Sequence, residues 1–132
     1  MGSTLKVTSF AILATLAMLS LAQAEERTLG EILAEPAKWS GNWSWRHMGG
    51  TVAFSFQFSE GVLTGQFLGA TGHHEMDSRP GPLTDLEIDG NEVEFTGPSG
   101  AEYSLDWNAA SGNLTGTEYF HTSHRLEVAP TD

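Results

Sequence analysis

Five histidines, His47, His73, His74, His121 and His124, are the residues of this 132-residue chain whose type and placement point to chemistry. Imidazole titrates near neutral pH, donates and accepts hydrogen bonds, and ligates transition metals. Carboxylates stand close by: Glu75 and Asp77 follow His73-His74, and Glu118 precedes His121. The set fits hydrogen bonding to the polar group of an otherwise apolar ligand. It also fits a divalent transition-metal site for zinc, copper or nickel, or general acid–base work by a histidine with Glu118 or Glu75. A further reading is that the histidines are solvated loop residues with no shared role. No H-E-x-x-H spacing is present, and adjacent His73 and His74 would point to opposite faces of a strand. No nucleophile elbow, phosphate loop or cysteine nucleophile occurs, so a binding protein is expected rather than an enzyme, with no cofactor.

The elements that must position these residues are short strands. Val52, Phe54, Phe56 and Phe58 alternate with Ala53, Ser55 and Gln57, the period-two pattern of a half-buried strand. Leu86 and Ile88 alternate with Asp85, Glu87 and Asp89, and Tyr103, Leu105 and Trp107 with Glu102, Ser104 and Asp106. Acidic faces cannot point into a core, so the opposite faces do. Turn signals at Gly49-Gly50, Glu60-Gly61, Asp89-Gly90-Asn91, Ser99-Gly100 and Ser111-Gly112-Asn113 separate the runs. They predict strands over 42–48, 51–59, 62–69, 83–89, 92–96, 101–107, 113–120 and 124–128. The fold class expected is all-β, an eight-stranded antiparallel up-and-down meander closed as a small barrel, because closure removes the sheet edges. One short helical turn near Leu29 to Ala34 precedes it, started by the capping box Thr28-Leu29-Gly30-Glu31 and stopped by Pro36.

In a meander the connections alternate between two ends. His47 closes the first strand before Gly49-Gly50, His73 and His74 lie in the long connection from Ala70 to Pro82, and His121 and His124 bracket the last hairpin. All five fall at one end. The long connection is the expected lid, since long loops on compact domains are more often functional than tight turns.

Ten aromatics share the inward parity: Trp43, Trp45, Phe54, Phe56, Phe58, Phe67, Phe95, Tyr103, Trp107 and Phe120. An eight-stranded barrel is just wide enough to be filled by side chains or to hold one small ligand. The rings predict a packed interior, with an open pocket as the alternative. Gly65 and Gly116, also of inward parity, mark either strand bends or room for a ligand. Glu118 shares parity with Leu114 and Phe120, which makes it either an inward carboxylate near the rim or a residue turned to water by a bulge.

Gly41-Asn42-Trp43 follows a helical turn and opens the first strand, and Arg125 lies in the last. In this the chain resembles the lipocalins and related calycin barrels, whose G-x-W tryptophan is often covered by an arginine from the last strand. It also resembles small lipocalin-like domains of secreted bacterial proteins in the segments Pro82 to Gly90 and Leu114 to Thr117. The likeness covers roughly residues 39–128. It implies a cup for a small apolar ligand, with Trp43 and Arg125 closing the end opposite the histidines, and it assigns no catalytic residue.

Residues 1–24 read as a secretory signal peptide: Lys6 as the only charge, an apolar run from Phe10 to Leu21, then Ala22-Gln23-Ala24. Its removal leaves residues 25–38 as an N-terminal segment with the helix, residues 39–129 as a single barrel domain, and five basic against seventeen acidic residues. Such a surface repels phosphate backbones and anionic lipid, which argues against nucleic-acid partners and against membrane insertion after signal removal. The chain contains no cysteine, so its fold carries no disulfide. The expectation is a secreted or periplasmic, lipocalin-like binder of a small, mostly apolar molecule, with Trp45, His47, His73, His74, His121 and His124 as contacts. The alternatives are a protein-binding or inhibitor module acting through rim loops, with Tyr119 and Met48 as anchors, and a metal site built by the histidines.

Overall fold

The computed structural model describes residues 28–72 and 79–131. The expected signal segment and the residues His73, His74, Glu75 and Asp77 lie outside the described residues. Helix α1 (Leu29–Ala34) precedes β1 (Lys38–Trp45), β2 (Met48–Ser59), β3 (Val62–Ala70), β4 (Gly81–Pro82), β5 (Thr84–Asp89), β6 (Glu92–Thr96), β7 (Glu102–Asn108), β8 (Asn113–Phe120) and β9 (Thr122–Thr131). They form one antiparallel sheet in the order β4-β3-β2-β1-β9-β8-β7-β6-β5, curled into a nearly closed barrel.

The described strands number nine rather than the expected eight because a two-residue strand, β4, forms at Gly81–Pro82, at the end of the expected long connection and just ahead of the strand expected over 83–89. β4 pairs with β3 through Gln66↔Pro82 and Phe67↔Gly81, whereas β5 pairs with β6. Between them Leu83 is buried, and its amide donates to the Gly65 carbonyl at 2.9 Å. Asp85 then takes a left-handed φ of 54°, and the β5–β6 register shifts between Thr84 and Glu87. This bulge turns the chain from one edge of the sheet to the other, so a single interrupted segment brings the barrel to near-closure.

The inward parity read from the alternation holds. Trp43, Phe54, Phe56, Phe67, Phe95 and Tyr103 are buried, and Trp45, Trp107 and Phe120 pack half-buried against them. The rings meet across the barrel. Phe54 on β2 lies 5.3 Å from both Phe95 on β6 and Tyr103 on β7, and 5.6 Å from Phe67 on β3, all edge to face. Phe95 stacks on Tyr103 at 5.0 Å. Edge-to-face and offset pairs of this kind add about 0.5–1.5 kcal/mol each beyond the burial itself.

Helix α1 packs on β2 at the end away from the histidines. Thr28 caps it by accepting the Glu31 amide at 3.3 Å, and Gly30 is required because a Cβ there would stand 2.8 Å from the Phe58 ring. Leu29 and Leu33 are buried, and the buried Trp39 indole donates to the Leu33 carbonyl at 2.9 Å, tying the helix to β1.

The first hairpin turns earlier than its glycines suggest. Trp45 pairs with Met48, so Arg46 and His47 form the turn, with Arg46 at φ 54°, and Gly49-Gly50 belong to β2. Gly50 serves a close approach instead: a Cβ there would lie 1.9 Å from the Thr71 carbonyl oxygen and 2.8 Å from the Trp43 Nε1 atom. The same register turns Met48 onto the core, so it is not the outward anchor expected of it.

Because Phe54 joins rings from three other strands, Phe54→Ala is expected to lower unfolding free energy by about 3–5 kcal/mol. Urea denaturation followed by circular dichroism measures this, and a loss below about 1 kcal/mol would mean that the rings are not packed as described.

Candidate functional site

The residues that combine burial with polarity sit at the histidine end. Glu118 on β8 pairs directly with His124 on β9 and, on its other side, with Tyr103 on β7. All three have inward parity and are buried, Glu118 at 1% exposure and His124 at 7%. His124 Nδ1 lies 3.6 Å from Glu118 Oε1, an ion-pair distance but longer than a hydrogen bond. Two tryptophans from β1 wall the imidazole. Trp43 meets it edge-on at 5.8 Å and 86°, and Trp45 at 5.9 Å and 55°. Arg46 extends the stack outward, its guanidinium 4.7 Å from the Trp45 ring centroid.

Local register explains the assembly. Ser44 pairs with Arg125, so the next residues along, Trp45 and His124, face each other across the β1–β9 ladder. The Trp43 indole donates to the Thr71 carbonyl at 2.7 Å, and the Thr71 and Thr51 side chains are hydrogen-bonded at 2.6 Å. Gly72 continues beside the same ring, where an added Cβ would stand 3.0 Å from Trp43 Cζ2 and 2.6 Å from the Gly49 carbonyl oxygen. The connection after β3 therefore starts on top of the tryptophan that flanks His124.

Of the residues expected from sequence, Trp45 and His124 are brought together. His47 is exposed in the β1–β2 turn, and His121 is exposed at the tip of the last hairpin with φ 66°, its ring 4.5 Å from Phe120. These two share the end but not the buried cluster. His73 and His74 lie outside the described residues. Trp43 corrects the expectation that it closes the opposite end, because its ring touches His124. Arg125 is likewise displaced from that role: it is exposed on the outer wall, opposite exposed Ser44 and Thr117. There it lines a depression of about 760 Å³ with Asn42, Thr115 and Glu127, on the outside of the sheet and away from the buried pair. Glu118 faces inward rather than toward water. Strand parity allowed this position but could not separate it from a bulge.

A carboxylate removed from water costs several kcal/mol unless attraction and hydrogen bonds offset it. An apolar pair at these positions would pack a barrel without that cost, so the fold alone does not call for Glu118 and His124. Among the described residues no group of three or more His, Asp or Glu could hold a metal. With one imidazole and one carboxylate side by side, the site can accept or donate hydrogen bonds and balance a charge, between aromatic walls.

Glu94 on the outer face is held above the ordinary carboxylate range, first by a side-chain hydrogen bond with Glu92 and then by the charges of Glu92, Glu87 and Asp89. Its cross-strand partner is Glu87, a like-charge pairing that opposes folding.

Compared with family models, with curated proteins and with solved structures, the chain finds no match.

Two outcomes follow from this geometry. Gly50→Ala forces a methyl group against the Thr71 carbonyl and is expected to cost about 1–3 kcal/mol in urea denaturation, with a shifted tryptophan emission. Unchanged stability and emission would mean that Thr71 does not rest on Trp43. For Glu94 the folded pKa is raised, so its favourable contribution is complete below the unfolded carboxylate range and is lost as pH rises through the raised value. Glu94→Gln should therefore raise the melting temperature at neutral pH, with a gain that fades as the solution is acidified. A gain independent of pH would contradict this.

Proposed function

We propose that this chain is a secreted or periplasmic, lipocalin-like binding protein that takes a small, mostly apolar molecule at the histidine end of its barrel and catalyses no reaction. The single observation that carries the reading is the buried Glu118–His124 pair between Trp43 and Trp45. Polar groups placed at desolvation cost inside an apolar wall are what a small-molecule site uses to orient its ligand.

Because rings fill the barrel from Phe54 to Tyr103, the ligand lies at the rim rather than deep in a cup. Its apolar part rests on Trp43 and Trp45, and its polar group meets Glu118 or His124. His47 and His121 flank the mouth, and Thr71, the first residue after β3, rests on Trp43 beside it. Nothing in this arrangement needs a cofactor. The lipocalin relationship itself is part of the proposal, resting on Gly41-Asn42-Trp43 and the barrel's general shape.

A second reading, a protein-binding module acting through rim loops, is favoured by Tyr119, which is 52% exposed beside the last hairpin. The two readings separate by substitution, since Tyr119 points away from the buried pair.

The test uses residues 25–132 without a histidine tag and N-phenyl-1-naphthylamine, an apolar fluorescent probe with one N–H donor. Saturable binding is expected, weakened by about tenfold or more in Trp45→Ala and in Glu118→Gln, the loss of one stacking or hydrogen-bond contact. A probe that fails to bind, or binds both natively folded variants as well as the parent chain, would overturn the reading.

A further inference from the structure

The two ends of the sheet do not meet along their whole length. β3 is joined to the interrupted segment only at Phe67, Gln66 and Gly65, and among the described residues no ladder links Val62 to Thr64 with β5. β5 stands last in the strand order, paired on one side by β6. The seam between them exposes residues that the parity assigns to the interior. Ile88 faces inward, paired with the fully buried Val93, yet is 40% exposed. Leu63 and Leu86, also inward, are only half-buried, and Val62 at the seam's far end is 61% exposed. Apolar side chains of inward parity are thus partly open to solvent along this seam, away from the histidine end.

The two edges of this seam differ in charge. The β3 edge, Val62-Leu63-Thr64-Gly65-Gln66, carries none. β5 carries Asp85, Glu87 and Asp89, backed on β6 by Glu92 and Glu94. Asp85, Glu87 and Glu94 line a groove of about 470 Å³ on the outer face with Glu102 and Tyr119. An unpaired strand edge offers alternate N–H and C=O groups to an incoming strand. On β5 the alternation of side chains would set apolar positions of that strand against Leu86 and Ile88 and the intervening positions beside Glu87 and Asp89.

We propose that the β3–β5 seam binds an extended peptide of alternating basic and apolar residues by strand addition. Apolar side chains fill the slit over Leu63, Leu86 and Ile88, basic side chains meet the acidic outer face, and the peptide backbone continues the β5 ladder. The raised titration of Glu94 accords with this, since it reports the negative charges of Glu92, Glu87 and Asp89 gathered around it. Charge complementarity selects the occupant. A second copy joined through its own β5 edge would oppose Asp85, Glu87 and Asp89 with the same residues, which like-charge pairing disfavours. The proposal does not depend on the ligand site at the histidine end.

The experiment adds the peptide acetyl-Lys-Val-Lys-Val-Lys-Val-Lys-amide to the 15N-labelled chain, residues 25–132, at neutral pH and low ionic strength. Saturable binding is expected, with amide shifts concentrated at 62–65 and 84–89 and slowed hydrogen exchange at β5 amides that point away from β6. The double variant Glu87→Gln/Glu94→Gln, which relieves repulsion and so keeps the fold, should bind about tenfold more weakly. A peptide N-methylated at alternate residues should lose binding, because its ladder hydrogen bonds are blocked. Equal binding of the N-methylated peptide would overturn the proposal in favour of simple charge attraction. Shifts confined to the histidine end, or no binding, would overturn it outright. So would a dimer of the free chain that dissociates on Val62→Lys and ignores the peptide, which would assign the seam to a second copy.

Discussion

Phe54 touches Phe56, Phe67, Phe95 and Tyr103, rings drawn from its own strand and from three others. A small barrel without disulfides is held by such contacts, since each strand alone buries too little to offset its ordering entropy. The other features follow from this cluster. Helix α1 seals its lower side through Leu29 and Leu33, and the β4–β5 segment reaches both edges of the sheet that wraps it. Because the rings occupy the width of the barrel, polar chemistry is displaced to the layer above them.

That layer is the one containing Glu118, His124, Trp43 and Trp45. Tyr103 belongs to both layers, stacked on Phe95 below and paired in register with Glu118 beside it. The ring cluster thereby sets where the carboxylate stands, and Trp43 and Trp45 hold the imidazole at the side facing the connection. Stability and site geometry are coupled through one side chain. At the histidine end Thr71 is hydrogen-bonded to both Trp43 and Thr51, which fixes the start of the connection over the tryptophan.

Much of this was legible in the alternation of side chains. The inward ring set, the short helix with its Thr28 cap, and the placement of the last hairpin beside the first strand follow from period-two and capping patterns, which depend only on near neighbours in sequence. What was not legible depends on distant pairs. Gly49-Gly50 reads as a turn, but Gly50 is small because Thr71 passes over it, a contact twenty-one residues away in the chain. Trp43 and Arg125 follow the lipocalin likeness to the wrong end and the wrong side, because only the β1–β9 register decides which residues meet His124. The break at Leu83 is invisible for the same reason: it exists because two different strands claim the segment on either side of it. Glu118 is the instructive residue, since parity named it and register settled its direction.

His124 is an interior residue, clasped by Trp43 and Trp45 and set against Glu118. The most direct test is a nuclear Overhauser experiment on the selectively labelled chain, reading contacts from the His124 ring protons. Cross-peaks are expected from His124 to the indole protons of both tryptophans, together with cross-peaks between the Phe54 and Tyr103 rings beneath. A His124 ring with no tryptophan contacts and free access to a paramagnetic solvent probe would contradict it.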